Sequence, residues 1–362
     1  MISVSILAFL FANVSLGLAL PKGFKAPFDV QGHRGGRGNT IENTLPSFAW
    51  GLIDGVTTLE LDNGITKDGV VVVWHDQNIP ATKCKDTAPV FKNDPSFPYV
   101  GKNIANLTLA QIKTLDCGSQ RLIDFPIQLN YPGTKISTLK EVFDFVACAD
   151  TNRKVLWNIE SKVDAVTPNN TRSPADFVKL QHAVFTASSY SIKSITYQSF
   201  DWRTLVGMKA LDPRAITAAL VDSETAPSVD VVSPWLAGLK LADFPGTTID
   251  VKIANAAKSI KADVLSPSAV SGKSPVPDPT QAGYIPFTTK EMVDRAHQVG
   301  MTVKPWTVDR LNIVDQLLDW GVDGIISDYP TQLRRRVMQR GLPVASQFSE
   351  KKVLACLAKH TR

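Results

Sequence analysis

The stretch TTLELDNGITKDGVVVVWHD, residues 57–76, decides the fold. Its first half alternates: Leu59 and Leu61 fall on one strand face, Glu60 and Asp62 on the other. Lys67-Asp68-Gly69 is a hairpin turn signal, and the valine run after it is a second strand. The segment therefore reads as a long strand that turns and returns antiparallel, bringing His75 back roughly opposite Asp62. Two carboxylates and an imidazole at one strand end are more than a sheet needs for packing.

Outward from this segment, short apolar runs alternate with amphipathic ones, the βα pattern of a parallel sheet. Strands are expected at 29–33, 57–62, 155–160, 195–199, 215–221, 263–266, 302–307 and 324–327. Helices are expected at 43–54, 139–149, 174–187, 202–211, 250–260, 290–299, 312–320 and 331–340. Eight strand–helix pairs define an α/β fold, a single (β/α)8 TIM barrel, with residues 57–76 as a hairpin excursion. Residues 80–135 and 266–286, rich in Pro with Asn or Ser, read as inserts at the barrel mouth. The chain has 362 residues, of which 44% are hydrophobic and 20% charged, in keeping with one large barrel core. A formal charge of +5 with scattered Lys and Arg carries no nucleic-acid signal.

The apolar start ends in small residues, Gly17-Leu18-Ala19, and reads as a signal peptide over 1–19. The barrel then covers 26–340, and 341–362 form a tail. No later stretch is long and apolar enough for stable membrane insertion. Four Cys in a secreted chain suggest disulfides. Of three possible pairings, Cys84 with Cys117 and Cys148 with Cys356 is the economical one, the second pinning the tail to the body. Asn106 and Asn170 are taken as glycosylation acceptors.

Catalytic groups of such barrels stand at strand ends. The first strand ends in Gly32-His33-Arg34, the second in Glu60-Leu61-Asp62, the return arm in His75-Asp76, and the next strand in Asn158-Ile159-Glu160-Ser161-Lys162. Alternation puts Glu60, Asp62 and Glu160 on inward faces, where three converging carboxylates repel unless a cation neutralises them. An all-oxygen set suits one hard divalent ion, Ca2+ or Mg2+. His33 and His75 are candidate acid and base, and Arg34 offers a fork for phosphate oxygens. Glu42, at the opening of the first helix, is placed to orient Arg34 or His33.

His33-Arg34-Gly35, Glu42-Asn43-Thr44, Glu60-Leu61-Asp62, His75-Asp76, Glu160-Ser161-Lys162 and DGIISDYP (323–330) together resemble the ordered motifs of the glycerophosphodiester phosphodiesterase family. The resemblance runs from about Val30 to Pro330. It implies hydrolysis of a small-molecule glycerophosphodiester to an alcohol and glycerol 3-phosphate. It implies metal binding by Glu60, Asp62 and Glu160, acid–base catalysis by His33 and His75, and phosphoryl contacts by Arg34 and Lys162. Trp306 falls where the family lines its glycerol pocket, Gln198 in QSFD faces the same pocket, and Asp309 stands where many members carry Asn. The rivals are a phospholipase D-like enzyme on lysolipids or sphingomyelin, a barrel glycosidase using Glu60 and Glu160, and a binding barrel without chemistry. An exposed apolar rim at the mouth would favour the first, and the polar inserts argue against one. The substrate's 2-hydroxyl is a possible nucleophile, with direct attack by water as the alternative. The oligomeric state has no sequence signal.

Overall fold

The computed structural model describes residues 26–361. A parallel strand run is built from β1 (Asp29–Gly32), β2 (Thr58–Ile65), β4 (Leu156–Ser161), β5 (Ile195–Ser199), β6 (Ile216–Val221), β7 (Val264–Pro267), β8 (Thr302–Val303) and β9 (Gly324–Ser327). Neighbours run β8-β7-β6-β5-β4-β2-β1-β9, and β3 (Val71–Val73) pairs antiparallel with β2 as the hairpin excursion. The β8–β9 seam is drawn together by Asp323 N–H on Val303 O at 2.9 Å and Ile326 N–H on Pro305 O at 3.0 Å. The strand expected at 302–307 shrinks to two residues because Pro305 has no N–H to give a ladder.

Eight helices follow the strands on the outside: α1 (Leu45–Asp54), α3 (Leu139–Ala149), α4 (Pro174–Ala187), α5 (Trp202–Leu211), α6 (Ile249–Ser259), α7 (Lys290–Gln298), α8 (Leu311–Asp319) and α9 (Pro330–Gln339). A short α2 (Leu109–Ile112) lies in the insert. Helix starts follow capping chemistry. Thr44 caps α1 through Ser47 N–H, so the helix begins at Leu45 rather than 43. Thr138 and Glu141 form a reciprocal capping box on α3. Leu59, Leu61, Trp157 and Ile159 are fully buried in the main apolar cluster shared with these helices, each stabilising by about 1.5–3 kcal/mol. Trp157 meets Phe143 of α3 edge-on at 4.7 Å.

The barrel interior is polar. Lys304 Nζ pairs with Asp29 at 2.7 Å, Thr58 and Gln31 donate to the same carboxylate, and Asn158 donates to Gln31. This network ties β1, β2 and β4 together on their inward faces, the faces that carry Glu60, Asp62 and Glu160 further along.

The 77–138 insert has its own apolar cluster, with Ile79, Tyr99, Leu107 and Leu115 around the Cys84–Cys117 disulfide and Trp74 of the return arm joining it. The second disulfide joins Cys148, on α3, to Cys356. The tail is not bare coil: α10 (Glu350–His360) packs Val353, Cys356 and Leu357 inward and lies on α1 and α3. Asn106 is exposed. Asn170 is not an acceptor, because the hydroxyl of a sequon lies two residues on and position 172 is Arg; the motif is Asn169-Asn170-Thr171. The Asn170 amide is instead tied to Asp164 and Gln77. The segment read as a signal peptide lies outside the described residues. No described helix is long and apolar enough to cross a membrane.

Candidate active site

Strand ends, the β1–α1 turn and the hairpin bring the named side chains into one cavity of about 200 Å³. His33, Arg34, Glu60, His75, Glu160, Lys162, Gln198 and Trp306 all line it. Asp62 and Glu42 lie just behind, on Arg34.

Glu60 and Asp62 point inward from β2, and Glu160 does so from β4, beside Asp62 in the parallel register. One carboxylate oxygen from each falls within 4.8 Å of the others, and all three residues are buried. Burial and the Asp62 charge push Glu60 well above the usual carboxylate range. Burial raises Glu160 to about 7 against the pull of Lys162. Asp62 is held low despite burial, chiefly by the Arg34 guanidinium. Asp62 Oδ1 is buried with no partner. An orphaned acceptor beside two carboxylates raised by burial and by its charge is the donor set that a hard divalent cation would satisfy.

Two histidines flank this cluster, each backed by a carboxylate. His33 Nδ1 lies 2.5 Å from Asp328 Oδ1. His75 Nδ1 lies 2.8 Å from Asp76 Oδ1. Both rings thus keep Nε2 as the free nitrogen. Burial lowers the His33 pKa, and Asp328 opposes the fall. Burial, with the Lys162 and Arg34 charges, lowers that of His75. The hairpin register pairs Asn63 with Val73, so Trp74 rather than His75 comes opposite Asp62. The one-residue offset follows from where the turn closes.

Arg34 is the hub. Its φ of 53° is left-handed, uncommon for a residue with a side chain, and such strain persists where surroundings over-determine it. That twist aims its N–H at Glu60 Oε2 (2.7 Å), while its guanidinium meets Glu42 at 3.0 Å and Asp62 at 3.2 Å. Gly35 follows at φ +87°, where an added Cβ would come within 2.8 Å of Ser47 backbone. Lys162 Nζ sits 2.8 Å from Glu160. Gln198 donates to Glu60 Oε1 at 2.8 Å, so its amide also fixes a carboxylate. Trp306 anchors its indole N–H on Ser266 O and stands edge-on to Phe200 at 5.3 Å, forming an aromatic wall.

Sequence reasoning passed over several groups. Asp328 and Asp76 orient the imidazoles, and Asn43 donates to Asp62 at 2.8 Å. Arg37 binds Asp328 at 2.9 Å. All but Arg37 stood inside quoted motifs, and a carboxylate following a strand-end His was a usable signal.

A barrel with a carboxylate cluster, paired histidines and cationic side chains at its mouth is the equipment of a phosphoric diester hydrolase. The model of the Glycerophosphoryl diester phosphodiesterase family matches residues 33–332, and the chain belongs to that family. A Glycerophosphodiester phosphodiesterase from Caldanaerobacter subterraneus is 28% identical over 313 residues, covering 86% of this chain and 98% of its own. Lysophospholipase D GDPD1 of Homo sapiens is 26% identical over 310 residues, covering 83% of each. A solved structure from Silicibacter pomeroyi DSS-3, assigned to the same family, superimposes with a TM-score of 0.69 at 26% identity, covering 89% of this chain and 97% of its own.

Proposed function

We propose that the protein is a secreted, metal-dependent glycerophosphodiester phosphodiesterase that releases an alcohol and sn-glycerol 3-phosphate. The observation that carries this reading is the pair of carboxylate-backed histidines on either side of the Glu60, Asp62 and Glu160 cluster. Those three carboxylates would hold one Ca2+ or Mg2+, which when bound supplies Lewis acidity at a phosphoryl oxygen. Arg34 and Lys162 take the phosphoryl oxygens, since both cations line the cavity. One histidine Nε2 removes the proton from the nucleophile, and the other protonates the leaving alcohol. Glu42 keeps the Arg34 fork in place, Gln198 holds Glu60, and Trp306 walls the glycerol side. Two disulfides among the described residues are compatible with secretion.

The nucleophile is the substrate's own 2-hydroxyl, which attacks phosphorus within the molecule with the advantage of proximity, expels the head-group alcohol and leaves a cyclic glycerol phosphate that water then opens to glycerol 3-phosphate. Turnover of glycerophosphocholine and of its 2-deoxy analogue tests this. The analogue should react at least ~10²-fold more slowly; equal rates would mean that water attacks directly. Chelation tests the metal: activity should vanish with excess EDTA and return with the ion, and full activity after dialysis against chelator would refute it.

A second reading, phospholipase D-like action on lysolipids, is favoured by one observation that corrects the expectation of a polar mouth. Ile123 is 93% exposed and Ile127 66% exposed on the insert. Between them Phe125 lies under Arg37 at 4.8 Å and beside Tyr329, the residue after Asp328. I123D/I127D should lower turnover of lysophosphatidylcholine and spare glycerophosphocholine; equal effects on both would dismiss this reading.

A further inference from the structure

The insert does more than cover the barrel. Lys83 stands on it, next to Cys84 of the first disulfide. Its Nζ lies 2.7 Å from Glu42 Oε1 and 2.6 Å from Asp76 Oδ2. These carboxylates belong to different parts of the fold, one to the β1–α1 turn and one to the end of the hairpin. Glu42 is the carboxylate that grips the Arg34 guanidinium, and Asp76 the one that grips His75 Nδ1. One ammonium therefore joins the support of the phosphoryl-binding fork to that of an acid–base histidine. Both carboxylates would otherwise face each other across a gap small enough for a single Nζ to span. Like charges so close repel in a site shielded from water.

We propose that Lys83 is a positioning residue, holding Asp76 and Glu42 so that His75 and Arg34 keep their working orientations. The role rests on the phosphodiesterase reading above. Lys83 does not line the cavity. Its ammonium donates to Glu42 and is ion-paired with Asp76, and its side chain is only 16% exposed. Its ammonium also lies 5.7 Å from the Trp74 ring, whose indole N–H is fixed on Asn78 O. The stem is thus held on one side by the insert turn and on the other by the return arm. Cys84, bonded to Cys117 within the insert's apolar cluster, fixes the turn from which Lys83 projects. The 77–138 insert is in this way part of the catalytic support.

The test uses the full-length enzyme and glycerophosphocholine. Wild-type release of glycerol 3-phosphate is measured first, and its absence would strike the function reading, not this one. The neutral variants K83M and K83Q should lose about 10- to 100-fold in kcat, the worth of one or two charge-assisted hydrogen bonds. Their melting temperatures should stay near wild type. K83R, which keeps the charge and can bridge two carboxylates, should recover at least about a third of kcat. In a D76N background, K83M should cost kcat less than about threefold more, because its route to His75 is already cut. K83M should also raise KM, through the Arg34 fork, and that effect should shrink likewise in an E42Q background. Three results would each overturn the proposal: kcat in K83M and K83Q within threefold of wild type, K83R as impaired as K83M, or an undiminished K83M effect in both backgrounds.

Discussion

Replacing Asp328 by Asn separates orientation of His33 from the rest of the site. The carboxylate is buried, accepts from His33 Nδ1 at 2.5 Å, and is braced by Arg37 at 2.9 Å. Its pKa is held at about 2, with the His33 and Arg37 contacts outweighing burial. The backbone of position 328 donates to Asp309 Oδ1 at 2.9 Å, a bond the variant retains, so the strand end keeps its course. The variant takes the charge from both contacts, and the one that bears on the imidazole is worth about 1.5–3 kcal/mol. At 1.4 kcal/mol per decade that is roughly a 10- to 150-fold loss in kcat. Loss of the productive tautomer deepens it toward ~10⁴-fold. Asp328 also raises the His33 pKa against burial. Without it the imidazole pKa falls further, and the limb of the pH–kcat profile that His33 sets moves to lower pH. The assay is initial-rate release of glycerol 3-phosphate across pH, beside thermal melting. A D328N enzyme with kcat within threefold of wild type and both limbs of the profile unmoved would refute the reasoning.

H75A should lower kcat by ~10²–10⁴-fold and leave melting nearly unchanged, since the ring is half-buried at the mouth; steady-state kinetics and calorimetry check both. Glu42 and Asp328 should each make the fold sensitive to acid. Glu42 and Asp328 both titrate at about 2, below their ordinary 4.5 and 3.8. Lowered carboxylates contribute stability that is full above their ordinary values and lost as pH falls through 2. The sum is about 6 kcal/mol at order of magnitude, of which about 3 kcal/mol is lost between pH 6 and pH 3; urea unfolding of the wild type against E42Q/D328N at those two pH values measures that share. C148A/C356A should cost about 2–4 kcal/mol in the same assay. Its kcat should hold at temperatures where the variant is folded, because Cys148 ends α3 on the face away from the mouth.

Much of this was legible in order along the chain. Alternation on β2 put Glu60 and Asp62 on one face without any tertiary knowledge, and the turn at Gly69 announced the hairpin. Local chemistry also fixed Thr138 and Glu141 at the start of α3. Contacts between distant residues were not legible. His33 and Asp328 are 295 positions apart, and Lys83 meets Glu42 only because the insert folds back. Pro305 was visible, yet its consequence depended on which neighbour needed its N–H. The exposure of Ile123 and Ile127 likewise depends on where Phe125 anchors the loop, which composition does not encode.

The most direct measurement follows the phosphorus. Wild-type enzyme with glycerophosphocholine and divalent metal, watched by ³¹P NMR, should give sn-glycerol 3-phosphate and free choline, with turnover abolished by chelator and in E60Q. Phosphocholine and glycerol as products, or turnover that persists in both the chelated enzyme and E60Q, would contradict the account.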